Sequence, residues 1–346
     1  MNIDLKGLDA QETEDWAISQ GLKAFQGRQI RQWLFKKRVG SFDDMTNIPK
    51  PLRARLKEEV NINHLEAVKV LTSEDGTQKF LFRLFDGHFI ESVLIPEEDH
   101  ATLCISSQVG CAMGCRFCLT ARQGLKRNLK ASEIVDQVIQ VGRSMDDPDR
   151  LTNIVLMGMG EPLANYDAVV KAVGNLINPD GMNYSNRKVT LSTCGLVPQI
   201  EKLGSDITVN LAISLNAADD ETRDYLMPVN RRYPLKDLIE ACKDFPLPNR
   251  RMITFEYILI KDVNDRPQDA QQLKGLLSGL RAKINLIPLN ASPNADMAAP
   301  SMKKTLQFQD ILVKNHFTAI IRKSRGSDIL AACGQLSGNH SLKREN

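Results

Sequence analysis

GCAMGCRFC, residues 110–118, decides the reading of this chain. Its cysteines, Cys111, Cys115 and Cys118, stand in the spacing Cys-x3-Cys-x2-Cys. Such a run offers three thiolates to a metal or cluster and leaves a fourth coordination position open. A closed structural zinc site takes four protein ligands, and no histidine or fourth cysteine follows at finger-like spacing, so zinc would need a distant ligand. A cubane iron–sulfur cluster held by cysteine alone is likewise one ligand short. An open position is where an outside ligand can bind and react.

Working outward, the run follows a strand near 102–107, and further strands near 152–157, 188–193, 208–215, 252–260 and 284–289 alternate with helical stretches. Six strand–helix units predict an α/β fold, a partial (β/α)6 barrel with helices outside. In VNLAISLN, residues 209–216, Leu211, Ile213 and Leu215 make an apolar face for the helices, while Asn210, Ala212, Ser214 and Asn216 make a small polar one. TLSTC repeats the pattern with Thr190, Ser192 and Cys194. A packed eight-stranded barrel fills its inside with bulky branched side chains, so a polar inside predicts a cavity. After the second strand, NIVLMGMGEP places Gly158, Gly160 and Glu161 at a strand-to-helix turn. Glycine there lets the backbone approach a ligand, and Glu161 suits an ammonium group. A glycine-rich turn alone is a weak signal; one strand after the cysteines it says more.

Upstream, apolar spacing predicts helices over 9–20, 28–38 and 50–60, a helical module of residues 1–62. Asp75-Gly76 and Asp86-Gly87 separate three strand-like stretches, predicting an antiparallel β extension over 63–98. The core then spans 99–335, and 336–346 is a tail. With 42% apolar and 25% charged residues the chain reads as soluble and globular. No apolar run approaches the roughly 20 residues that span a bilayer, and the acidic, polar N-terminus is unlike a signal peptide, so a cytoplasmic protein with no membrane partner is expected. Seven cysteines in that setting read as metal or redox ligands rather than a disulfide framework. A net charge of +3 does not announce a nucleic-acid binder. Local basic patches do more: Arg28, Arg31, Lys36, Lys37 and Arg38, then Lys126–Arg127, Arg187–Lys188, Arg231–Arg232 and Arg250–Arg251 suggest a phosphate-facing rim.

The cysteine run at the end of one strand and GMGEP after the next resemble the radical S-adenosylmethionine (SAM) superfamily. RGSDILAACGQL at 325–336, VNRRYPL at 229–235 and the helical N-terminal module narrow the likeness. Over nearly its whole length the chain resembles the RlmN/Cfr family of RNA adenine methyltransferases, and FCLTARQGLKRNL at 117–129 is closer to the RlmN branch.

The resemblance implies a radical SAM barrel in which Cys111, Cys115 and Cys118 hold a [4Fe-4S] cluster and SAM completes the fourth iron. It implies SAM contacts from Gly160, Glu161, Ser192, Ser214, Leu215, Asn216 and Asn290, with two SAM used per turnover. Asn216 stands where the family more often has histidine; asparagine can hydrogen-bond but cannot titrate. Cys333 would be methylated on sulfur, Cys104 would be its transient disulfide partner, and Glu91 in FIESVLIP would accept a proton. The implied substrates are an adenine of 23S rRNA in the peptidyl-transferase region and the adenine beside the anticodon of tRNA, methylated at C2. A flavodoxin-type electron donor and a monomeric state complete the expectation. A Cfr-type C8 methyltransferase uses the same cysteines and stays open, as does a radical SAM enzyme acting on a protein or small molecule. From another class, a non-catalytic zinc or iron–sulfur RNA-binding protein would share the cysteines and the basic patches. Cys242 is expected to be a buried small apolar residue, and Cys194 to line the cavity without reacting.

Overall fold

The computed structural model describes residues 3–290 and 296–338, so the tail from 339 onward lies outside the described residues. The helical module forms as predicted. Helix α1 (Ala10–Ser19) starts at Asp9, whose side chain accepts from the Glu12 amide while Glu12 accepts from the Asp9 amide, a reciprocal cap. Helix α2 (Ala24–Arg31) widens into a π turn over Gln32–Lys36, and α3 (Lys50–Glu59) carries Pro51 in its first turn, where no amide proton is needed.

The module is not a separate body. Leu5, Ile30, Leu34 and Phe35 join one continuous core with Ile134, Val138 and Leu176. Three polar ties cross the same boundary: Lys6 to Asp136 at 2.5 Å, Arg31 to the Asn175 side-chain oxygen at 2.9 Å, and Lys171 to Glu12 at 2.5 Å. This corrects one expectation. Arg31, grouped above with the phosphate-facing residues, is 1% exposed, because its guanidinium is spent on Asn175 and the Leu8 carbonyl.

Strands β1 (Glu66–Thr72), β2 (Gln78–Arg83) and β3 (Phe89–Pro96) form the antiparallel extension, turning at the two Asp-Gly pairs. β3 then pairs with β4 (Ala101–Cys104), Val93 opposite Cys104, so extension and core share one sheet. From β4 the pairing is parallel through β5 (Leu151–Leu156), β6 (Val189–Thr193), β7 (Asn210–Ser214), β8 (Ile253–Leu259), β9 (Ala282–Pro288) and β10 (Thr318–Ile321). The result is a ten-stranded sheet in reverse chain order. The parallel part has seven strands rather than six: β10 is a four-residue edge strand, too short to announce itself by alternation.

Helices α4 (Ala131–Ser144), α5 (Tyr166–Ile177), α6 (Val197–Asp206), α7 (Asp220–Leu226), α8 (Leu235–Asp244), α9 (Pro267–Leu276) and α10 (Met302–Lys314) fall between the parallel strands. Leu191, Leu211 and Ile213 are fully buried in the core that these elements share. The sheet does not close on itself by hydrogen bonds, since β10 and β1 are both edges. The segment after β10 spans that gap. The Arg322 amide still donates to Leu286 of β9, whereas further along the Gly326 amide reaches Asp75, Asp328 reaches Ser73, and the Leu330 carbonyl accepts from Lys79. Residues 322–338 therefore strap the barrel edge to the antiparallel extension, and Cys333 rides on the strap.

Candidate active site

The three-cysteine run leaves β4 and folds back tightly on itself. Gly110 has φ +75°, and a Cβ there would meet the Gly124 carbonyl oxygen at 1.9 Å, so only glycine fits. Two backbone bonds fix the loop from outside: Arg116 N–H to Leu226 O at 3.0 Å, and Leu119 N–H to Gly334 O at 2.8 Å. The second joins the cysteine loop directly to the strap, one residue past Cys333.

Cys111, Cys115 and Cys118 line one cavity of about 580 Å³, within the range of roughly 300–1,000 Å³ usual for small-molecule sites. Burial, helped by the neighbouring thiols and Glu161, pushes Cys111 up to about 12 and Cys115 well above the usual thiol range. Such thiols stay protonated unless a cation draws them into thiolates. Among the described residues, no three His, Cys, Asp or Glu side chains converge closely enough for a single metal ion. Three soft donors lining one open space suit a polynuclear cluster in which each thiolate binds its own iron. The residues present fit a [4Fe-4S] group.

Beside them, Gly160 has φ +98° and would place a Cβ 2.5 Å from Gln108 Cβ. That close approach lets the Gln108 side-chain oxygen accept from the Glu161 amide at 2.8 Å. The Glu161 carboxylate accepts from the Leu163 amide at 3.0 Å and the Cys194 amide at 2.8 Å, and burial raises its pKa despite both bonds. Glu161 also lines the cavity that the cysteines line. Ser192 and Ser214 line it too.

Three of the predicted SAM-contacting residues behave differently. Leu215 adds no surface to the cavity: it is fully buried on the helix side, as its place in the alternation required, and its backbone is used by Glu256 O and Arg223. Asn216 lines the cavity, but its amide is committed to structure, the oxygen accepting from the Ile258 amide at 2.8 Å and the nitrogen donating to Met227 sulfur at 3.2 Å. Its φ of +59° is one that asparagine tolerates well. Asn290 turns its side-chain nitrogen to the Cys333 carbonyl at 3.1 Å, and its oxygen accepts from Ser324, so it holds the strap.

Cys104 and Cys333 line the same cavity as the triplet, and all seven cysteines are free thiols. Cys333 is open to the cavity space, while its surroundings push its pKa up, burial first and Glu256 second. Cys104 is raised by burial and then by the charge of Cys333, which marks the two sulfurs as neighbours. Glu91 is absent from the cavity lining. It shares a face of β3 with Val93 and Ile95, which do line it. Its carboxylate is closed off by an ion pair to Lys79 at 3.1 Å and by the Ser337 and Gly338 amides at 2.7 and 3.0 Å. A proton-accepting role therefore requires the end of the strap to lift.

Sequence reading missed Arg223, Lys79, Glu256 and Asn285. Arg223 is fully buried and clamps the ends of β6 and β7, donating to Cys194 O at 2.7 Å, Leu215 O at 3.1 Å and the Asn230 side chain at 2.8 Å. Lys79 is 3% exposed. A lone charge inside an apolar strand, Lys79 in QKFLFR and Glu256 in ITFEYIL, was the available signal.

Two family models match the chain: the radical SAM superfamily over residues 105–273, and the ribosomal RNA large subunit methyltransferase N-terminal domain over residues 3–62. Similar proteins include the dual-specificity RNA methyltransferase RlmN of Syntrophus aciditrophicus, 52% identical, and that of Geotalea uraniireducens, 53% identical, each match covering 97% of both chains. Among solved structures, a radical SAM methyltransferase from Sphaerobacter thermophilus is 44% identical, with a TM-score of 0.92 over 97% of this chain and 100% of that one.

Proposed function

Since this chain belongs to the RlmN family of radical SAM methyltransferases, we propose that it methylates C2 of one adenine in 23S rRNA, and of the adenine beside the anticodon in tRNA, through a methylated Cys333. One observation carries this reading. Cys333 and Cys104, 229 residues apart, share one cavity with the three-cysteine loop. A non-catalytic RNA-binding protein needs no such convergence.

Adenine C2 is electron-poor, so it does not attack a sulfonium methyl group as a nucleophile. The Cys333 thiolate does, taking the methyl group of one SAM after its own proton has left. Cys111, Cys115 and Cys118 would hold the cluster, which with a second SAM would supply the one-electron chemistry that takes a hydrogen atom from that S-methyl group. Cys333 then carries the methylene carbon to C2 as a covalent protein–RNA adduct. The adduct would return one electron to the oxidised cluster and give up its C2 proton, for which Glu91 is the assigned acceptor once the strap frees it. The Cys104 thiolate attacks the Cys333 sulfur: a sulfur–sulfur bond forms, the carbon–sulfur bond breaks, and the freed carbon takes a proton to become the methyl group. Two electrons from a thiol reductant reopen the disulfide, and a flavodoxin-type protein fits the role of one-electron donor to the cluster.

The target base has to leave its stack to reach Cys333. The exposed Lys36 and Lys37 of the N-terminal module and Arg231 and Arg232 at the barrel rim are placed for phosphate contact. The test is Cys104→Ala with target RNA under anaerobic conditions: an RNA–protein crosslink should accumulate, and normal turnover would sink the resolving role. Mass spectrometry of digested RNA locates the methyl group, and methylation at C8 would favour the Cfr-type reaction.

A further inference from the structure

A polar row crosses the sheet where its neighbours in the same strands are apolar. Ser214 of β7, Glu256 of β8 and Asn285 of β9 stand in register on adjacent strands, and all three face the cavity that holds Cys333. Asn285 is 6% exposed and its side-chain nitrogen donates to Glu256 Oε1 at 2.9 Å. Among the described residues, that is the one side-chain hydrogen bond either residue makes, which leaves Glu256 Oε2 and Asn285 Oδ1 without a protein partner. Arg322 and Lys283 bear on the carboxyl from a distance but form no ion pair with it among the described residues, and burial keeps its pKa raised.

A carboxyl in such a place costs free energy unless something bonds it. The two acidic residues of the cavity also divide its ends between them. Glu161 is the carboxylate felt by Cys111 and Cys115, whereas Glu256 is the one felt by Cys333. The end of the cavity near Cys333 is where the substrate base must sit.

The chemistry of the pair suits a base edge. Asparagine pairs with adenine by accepting from its 6-amino group and donating to N7, and carboxylates accept from exocyclic amino groups. We propose that Glu256 and Asn285 read the amino edge of the target adenine, Glu256 Oε2 and Asn285 Oδ1 accepting from the 6-amino group and so turning C2 toward Cys333. This rests on the RNA methyltransferase reading above and adds a specificity pair to it.

The experiment compares two synthetic RNA hairpins, one with adenosine and one with purine riboside, which lacks the 6-amino group, at the target position. Wild-type protein should prefer adenosine by roughly 10- to 100-fold in kcat/KM, the span expected when a hydrogen bond to a charged group is removed. The near-isosteric Glu256→Gln and the smaller Asn285→Ser should each cut that ratio by about tenfold, chiefly by slowing the adenosine substrate. The same change in preference should appear in the affinity of cluster-free protein for the two hairpins. Variants that keep the full wild-type ratio overturn the proposal. So does loss of RNA-independent S-adenosylhomocysteine formation in Glu256→Gln, which would assign the residue to SAM. If wild-type protein methylates neither hairpin, the parent function has failed and the pair falls with it.

Discussion

Arg223 shows how much at this site depends on single side chains. It is a buried cation with no ion pair among the described residues, satisfied by carbonyls at the ends of β6 and β7 and by Asn230. Arg223→Met should strand those carbonyls and destabilise the fold by about 1–3 kcal/mol for each one left unpaired, read as a lowered thermal midpoint; an unchanged midpoint would refute the clamp. Cys333 gives a second prediction. Its thiol is raised by burial and by Glu256, and methyl transfer to it needs the thiolate, so single-turnover S-adenosylhomocysteine formation without RNA should keep rising with pH past the ordinary thiol value of about 8.5. A plateau below that value would show that another group takes the proton. At this scale the triplet was legible because its spacing is informative, whereas the roles of Cys104 and Cys333 came from the family resemblance, since neither has a spacing of its own to read. Leu215 was assigned by likeness, although its own alternation already turned its side chain into the core. Glu256 went unread because one acidic residue in an apolar strand carries no spacing.

The strap over residues 322–338 is the element that makes the site, and it was invisible in the sequence. RGSDILAACGQL shows neither helical nor strand periodicity, because its order comes from distant partners rather than local pattern. Those partners lie on β1–β3 and the cysteine loop: Asp75, Ser73, Lys79, Glu91, Thr120 and the Leu119 amide. Lys79 holds two groups at once, the Leu330 carbonyl at 3.1 Å and Glu91 at 3.1 Å. Lys79→Met keeps the stem and removes both bonds, leaving Glu91 uncompensated. Hydrogen exchange over residues 326–338 should rise well before global unfolding, and methyl transfer should slow more than cluster binding. Unchanged exchange there would mean that the other partners hold the strap without Lys79. The strands themselves were easier to read, since alternation and Asp-Gly turns are local; β10 escaped because four residues carry too little pattern.

At the scale of the whole molecule the question is what the N-terminal module does. Sequence suggested a helical module carrying part of a phosphate-facing rim, and the structure adds that it shares the core and is tied to the barrel by Lys6 and Asp136. Burial alone would raise the Asp136 carboxyl, but the facing His64 at 3.9 Å and the hydrogen bond and charge of Lys6 more than offset it, and the pKa is lowered. A lowered carboxylate stabilises the fold above its unfolded value near 3.9 and loses that contribution as pH falls through the folded value. Acid below about pH 4 should therefore loosen the module's docking. Lys6→Met should bring that loosening to neutral pH, and a wild-type acid profile in this variant would show that the pair is not the tie. Deleting the module would expose barrel core and confound any RNA measurement, so charge is the better probe. Lys36 and Lys37 are exposed and outside the polar ties described above. Replacing both by glutamine should leave the thermal midpoint in place. If each lysine neutralises a phosphate, the slope of log affinity against log salt should fall by about one for each of the two charges removed. An unchanged slope would confine the module to structural support and move the RNA-facing role to Arg231 and Arg232 at the barrel rim, where the same substitution and the same slope decide it.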